Sequence, residues 1–130
     1  MKTVMCFGTF DKLHPGHLSY LKQARKYGDC LLVVVGRDKN VFRIKGKLPK
    51  ENEKTRLKNV QKVKFVDKAI LGQLRDKFKV VKKHQPDVIC LGYDQKVDTE
   101  KLKDFFSGRI VRLKPYKEEI YKSTLMSISD

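Results

Sequence analysis

Long apolar runs are missing from this 130-residue chain, and no stretch of the roughly 18 residues needed to cross a membrane occurs. The first residues, Met1 to Met5, lead straight into a strand pattern, without the apolar core and cleavage site of an export signal. Both absences predict a cytoplasmic protein with no membrane partner. Cysteine is scarce: Cys6, Cys30 and Cys90, an odd number with no CxxC pair. That excludes a disulfide framework and a cysteine metal site. It predicts three small core residues, because each lies in or beside an apolar run. Repeats, low-complexity tracts and linkers are absent too, so residues 1–130 are expected to form one domain. A chain of that length buries roughly two-thirds of its unfolded surface and needs no staple to fold.

Acidic residues are also in short supply. Lys and Arg number 30 against 15 Asp and Glu, a formal net charge of +15. A surplus of this size points to anionic partners such as nucleic acid or phosphorylated metabolites. A basic nucleic-acid-binding module is the alternative outside enzymology. Against it, the aromatics Phe7, Phe10, Tyr20 and Phe65 are scattered and form no base-stacking ladder. A small phosphorylated ligand, with no specific nucleic acid, is the expected partner.

What the chain does have is alternation. Val4–Phe7 reads as a strand ending at Gly8, and Leu18, Leu21 and Ala24 give a helical face over Gly16–Tyr27. Leu31–Val35 is an unbroken run suited to a central strand of a parallel sheet. Arg37–Lys50 is basic and poorly periodic and reads as a loop, and 51–62 is helix-compatible. Lys64–Ile70 reads as a strand, Leu74–His84 as a helix, Val88–Leu91 as a strand, Asp98–Phe106 as a helix and Ile110–Leu113 as a fifth strand. Ser123 opens a possible last helix. The pattern predicts an α/β fold: a Rossmann-like, open, doubly wound parallel sheet of five strands. Ligands of such sheets bind at the carboxyl ends of the strands.

The residues just past the first strand carry the strongest signal. Gly8-Thr9-Phe10-Asp11 leaves the strand, and His14-Pro15-Gly16-His17 opens the helix. A helix start presents unpaired N–H groups and a positive dipole end to an anion. Two histidines three residues apart put two imidazoles on one side of that turn, each able to donate to phosphate oxygen. The metal reading of the pair lacks a third ligand and a general-base Glu nearby. Further along, Asp38 follows the second strand, where an Asp either binds a hydroxyl or caps a turn. Lys45 and Lys47 lie in the basic stretch, Gly92 and Asp94 follow the fourth strand, and Ser123 and Thr124 sit at a helix start that suits phosphate.

These segments together resemble the cytidylyltransferase-like nucleotidyltransferases, whose signature is HxGH after a strand-exit GTFD. The resemblance covers essentially the whole chain. It implies a Rossmann-like fold, Mg²⁺ dependence, commonly a homodimer, and transfer of a nucleoside monophosphate from an NTP to a phosphate-bearing acceptor. It implies that His14 and His17 contact the nucleotide phosphates in the transition state, aided by Lys45 and Lys47. It implies nucleotide contacts from Gly8, Thr9, Phe10, Asp11, Pro15, Gly16, Gly92, Asp94, Tyr121, Ser123 and Thr124. Asp38 and Arg56 are placed at the acceptor, Arg56 also holding the active-site loop or the dimer. Leu125 departs from the family, standing where a third hydroxyl is common. Within the family, Pro86 to Gln95 followed by Asp98-Thr99-Glu100-Lys101-Leu102 resembles the archaeal FAD synthases, which transfer AMP from ATP to FMN. The alternative is the CTP-dependent glycerol-3-phosphate cytidylyltransferases. No cysteine follows Cys90, where the FAD synthases often carry them.

Overall fold

The structure is a computed structural model that describes residues 1–74, 76, 78–93, 95 and 97–115. Among the described residues ten elements are present, strands and helices alternating except for two successive helices between β2 and β3: β1 (Thr3–Gly8), α1 (Pro15–Arg25), β2 (Cys30–Val35), α2 (Asp38–Lys45), α3 (Glu53–Gln61), β3 (Lys68–Leu71), α4 (Lys79–His84), β4 (Val88–Leu91), α5 (Thr99–Lys103) and β5 (Arg109–Arg112). The strands form one sheet in the order β3-β2-β1-β4-β5, and every pairing is parallel.

Strand periodicity of two divides the core. Val4, Cys6, Leu31, Val33, Val35, Val88 and Cys90 face one side, packed against Leu21 and Ala24 of α1 and Val60 of α3. Met5, Leu32, Val34, Ile89 and Leu91 face the other, against Val80 and Val81 of α4 and Leu102 of α5. The chain winds outward from β1 to β3, then crosses back to β4. Connections of one hand force the covering helices to change face when the winding direction reverses. That reversal leaves a crevice at the carboxyl ends of β1 and β4.

Four local expectations change. The stretch 37–50, read as a loop, contains α2, which buries only Val41 and so shows no apolar period. Gly46, at φ 81°, ends it in the left-handed region that glycine tolerates. The third strand is Lys68–Leu71 rather than Lys64–Ile70, because Val63, Phe65 and Val66 pack against the core from a turn. The helix expected over 74–84 is regular only from Lys79, after an Asp76 carboxylate that accepts from the Phe78 N–H. Cys6 and Cys90 are core residues, whereas Cys30 is half-buried. Burial pushes the Cys6 thiol up and the Cys90 thiol up to about 11, so both stay protonated and unreactive near neutral pH.

Among the described residues no helix is long and apolar enough to cross a membrane. Leu21 is fully enclosed between α1 and the sheet, while Leu18 on the same helix is 40% exposed. Leu21→Ala should lower unfolding free energy by about 3 kcal/mol and Leu18→Ala by less than about 1, measured by urea denaturation.

Candidate active site

A cavity of about 700 Å³ opens along the carboxyl ends of β3, β2, β1 and β4. It is lined by the exit of β1 (Phe7 to Asp11), the start of α1 (His14, His17, Tyr20), α2 (Asn40, Val41, Ile44, Lys45) and the exit of β4 (Gly92, Gln95). Arg37 and Lys45 bring positive charge to the wall and Asp11 negative charge, so the balance favours an anion.

The histidines owe their arrangement to the helix start. His14 is the N-cap of α1, Pro15 fills the first helical position, and the absent proline N–H costs nothing there. The Gly16 N–H donates to His14 Nδ1 at 3.1 Å, and the His14 N–H donates to His17 Nδ1 at 3.3 Å. Both Nδ1 atoms are therefore acceptors, and in each neutral ring the proton sits on Nε2. The two rings stack at 3.8 Å between centroids and both line the cavity. Phe10 meets His17 edge-on at 5.5 Å and lies over Tyr20 at 6.1 Å, extending the stack to four rings. The Tyr20 hydroxyl reaches Phe7 O at 3.1 Å and Cys90 O at 3.2 Å, tying the ends of β1 and β4 together beneath the stack. Gly8 is what lets Phe10 fold back: a Cβ there would lie 2.7 Å from the ring.

The loop between β1 and α1 is strained. Phe10 and Lys12 have φ of 55° and 51°, in the left-handed region. External contacts hold it there. Asp11 accepts from the Lys50 N–H at 2.8 Å and the Glu51 N–H at 3.0 Å, and Glu51 accepts from the Lys12 N–H at 2.8 Å. Arg56, with 0% of its surface exposed, donates to Thr9 O at 2.7 Å, Glu51 O at 2.9 Å and Asp38 Oδ1 at 2.6 Å. Asp38 also accepts from the Glu53 N–H at 3.1 Å.

Neither Asp38 nor Arg56, both expected at the acceptor, lines the cavity, and the pair braces the loop after β1 from behind. Lys45 lines the cavity with its Nζ 3.4 Å from Thr9 Oγ1, whereas Lys47, beyond the Gly46 cap, does not. Pro15 and Gly16 supply the helix start without lining the cavity, and Gly92 lines it. Asp94, Tyr121, Ser123 and Thr124 lie outside the described residues.

Sequence reasoning passed over two lining groups, Gln95 and Arg37, and over Arg112 behind them. Gln95 takes the Gly92 N–H at 3.1 Å and gives its own to Phe7 O at 3.2 Å, a second tie between the ends of β1 and β4. Arg112 donates to Gly92 O at 2.8 Å and also to Gln95 O, fixing that loop from β5. Arg37 donates to Gly72 O at 2.8 Å and to Glu53 at 3.1 Å. The positions of Arg37 and Gln95 just past strands were the signals available for these three. Among the described residues, no cluster of three or more His, Cys, Asp or Glu side chains is placed to hold a metal. Mg²⁺ in phosphate-handling sites is held by one or two carboxylates with substrate phosphates and water, and Asp11 brings a carboxylate to this lining.

The parallel sheet wound 3-2-1-4-5, with HPGH at its switch point, is the architecture of a nucleotide-handling α/β domain. The chain belongs to the cytidylyltransferase-like family, whose model matches residues 5–126. Its similarity is strong to the FAD synthase of Aciduliprofundum boonei, 45% identical over 129 residues, 95% of this chain and 86% of the relative. The FAD synthase of Thermoplasma acidophilum is 44% identical over 131 residues, 97% of this chain and 92% of the relative. A crystal structure from Thermoplasma volcanium, described as a lipopolysaccharide core biosynthesis protein, superposes with a TM-score of 0.84 at 44% identity. It covers 90% of this chain and 99% of that one. A universal stress protein in complex with cAMP, at 8% identity and a TM-score of 0.52, shares the fold alone.

Two outcomes follow from the bracing of the loop. Arg56→Met strands two carbonyls and the Asp38 carboxylate, and should lower stability by about 3–5 kcal/mol in urea titrations. Partial burial pushes the Asp11 carboxyl up, yet the Lys50 and Glu51 amides and the Arg56 and Lys50 charges outweigh it and hold it below its ordinary value. A carboxyl depressed in the folded state stabilises above its unfolded pKa of about 3.9 and loses that contribution as pH falls through the lower folded value. Asp11→Asn should therefore lower stability at pH 7 and flatten the pH dependence of stability below about pH 4.

Proposed function

We propose that the chain transfers AMP from ATP to FMN, giving FAD and pyrophosphate. The similarity to FAD synthases along 95% of the chain supports this acceptor over glycerol 3-phosphate with CTP. The observation that carries the chemistry is the locked histidine pair. With both Nδ1 atoms engaged by backbone N–H groups, both rings keep their donor at Nε2.

ATP binds with its phosphates at the start of α1, where Mg²⁺ held on phosphate oxygens would offset charge on the leaving pyrophosphate. A phosphate oxygen of FMN attacks the α-phosphorus, a new P–O bond forms, and the bond to the β-phosphate oxygen breaks as pyrophosphate leaves. No protein nucleophile is needed. The protein contributes position and charge. Nε2–H of His14 and of His17 donates to phosphate oxygens that gain charge in the transition state. Lys45 offsets charge on the phosphates beside Thr9. The backbone at Gly8 to Asp11 and at Gly92 frames the nucleotide. Arg56 and Asp38 act through the loop they hold. The enzyme works in the cytoplasm as a homodimer, with residues 1–130 as one catalytic domain.

Capping and catalysis share the same rings, so His17→Ala removes an acceptor for the His14 N–H along with the Nε2 donor. His14→Asn separates the two roles, because asparagine is a strong N-cap and has no atom at the Nε2 position. It should keep stability within about 0.5 kcal/mol by thermal melting and lower kcat on the order of 100-fold. Unchanged kcat would remove His14 from the chemistry. Wild-type protein with ATP and FMN should form FAD, followed by chromatography. Pyrophosphate release from CTP and glycerol 3-phosphate instead would replace the acceptor.

A further inference from the structure

On the face of the sheet opposite α1, the cavity reaches the upper end of the second core. Its floor there is Phe7, Val34, Phe78, Leu91, Val97 and Leu102. These come from β1, β2, β4 and the starts of the two helices covering that face, and none carries a side-chain polar atom. Two further walls come from α2, Val41 and Ile44. Ile44 is 74% exposed although it faces the cavity. The polar groups beside this floor are Gln95 at the β4 exit, whose side chain is taken up by the Gly92 N–H and Phe7 O, and a cluster beside β3. Asn40 Nδ2 donates to Gln73 O at 2.8 Å, and the Gln73 side chain and Arg37 lie next to it.

We propose that this apolar chamber seats the fused ring system of the acceptor. Its nonpolar benzenoid end rests on Phe78, Val34 and Leu91, its carbonyl-bearing end lies toward Asn40 and Gln73, and Ile44 covers its face. The assignment deepens the reading of the acceptor as FMN and rests on it. Chemistry separates the two substrates. An adenine ring carries nitrogen donors or acceptors around its edge, and whichever edge met this floor would leave one unpaired, at a cost of about 1–3 kcal/mol. A flavin has one edge that is hydrocarbon alone and an opposite edge of carbonyl and N–H groups. That polarity matches the chamber from floor to rim. The histidines stand on the other face of the same crevice, so the acceptor phosphate reaches the α-phosphorus while the rings stay buried. Ile44, costly to leave in water, is covered once the rings are in place.

The test uses the full chain and flavin fluorescence. FMN is titrated without ATP, and steady-state kinetics are then run with both substrates, for wild type, Ile44→Ser and Phe78→Leu. Ile44 is exposed, so its replacement spares the fold, and Phe78→Leu keeps an apolar side chain. Both variants should bind FMN roughly tenfold more weakly, the size expected from losing cover of one large apolar side chain, while the KM for ATP stays within about twofold. Riboflavin, which has the rings without the phosphate, should show the same loss. A raised KM for ATP with FMN binding unchanged would put the adenine in the chamber and overturn the assignment, as would no effect on either substrate. Failure of the functional reading looks different. Wild type that forms no FAD, yet binds FMN in a way both variants weaken, would sink the reaction and keep the chamber. Wild type that neither forms FAD nor binds FMN would sink both.

Discussion

Arg56 holds the catalytic half of the molecule together. Its guanidinium is wholly enclosed, and enclosing a charge is expensive unless its donors are matched. Here the donors meet the carbonyls of Thr9 and Glu51 and the carboxylate of Asp38. Those partners belong to three separate segments: the loop after β1, the approach to α3, and the first turn of α2. One side chain thus fixes the loop bearing GTFD relative to the helix bearing Lys45. The left-handed conformations of Phe10 and Lys12 persist because Arg56, Asp11 and Glu51 over-determine them. A flexible loop would adopt those angles only a small part of the time, and His14 would follow it.

The stack of Tyr20, Phe10, His17 and His14 passes this order to the reacting groups. At its base the Tyr20 hydroxyl joins the two strands that border the switch point. At its top, backbone N–H groups choose the histidine tautomer. The same hydrogen bonds that start a helix therefore prepare two donors for a phosphate. In the proposed mechanism, helix capping and transition-state stabilisation draw on the same two histidines, and substitutions there disturb both unless they keep the acceptor at Nδ1.

The excess of positive charge finds only a small part of its use in the cavity, through Arg37 and Lys45. Elsewhere the basic side chains serve local contacts. Arg25 pairs with Asp67 at 3.1 Å, and Arg112 holds the loop after β4. Specificity belongs to the apolar chamber and its polar rim, where composition gives no sign of it.

The sequence alone determined the sheet and its parallel sense. Unbroken Leu and Val runs such as Leu31–Val35 need no tertiary information to be read, and GTFD with HPGH stood out at the exit of the first strand before any strand order was known. Tertiary structure decided the rest. α2 was illegible because one buried residue, Val41, makes no period, and distant partners hold its start in place. That Arg56 and Asp38 pair with each other behind the loop was not legible, because a motif records which residues recur together without recording which way they face. Gln95, Arg112 and Tyr20 act through backbone carbonyls far away in the chain, and a carbonyl has no letter in a sequence. The chamber is assembled from six elements, so its apolar floor exists only once the sheet and its helices have packed.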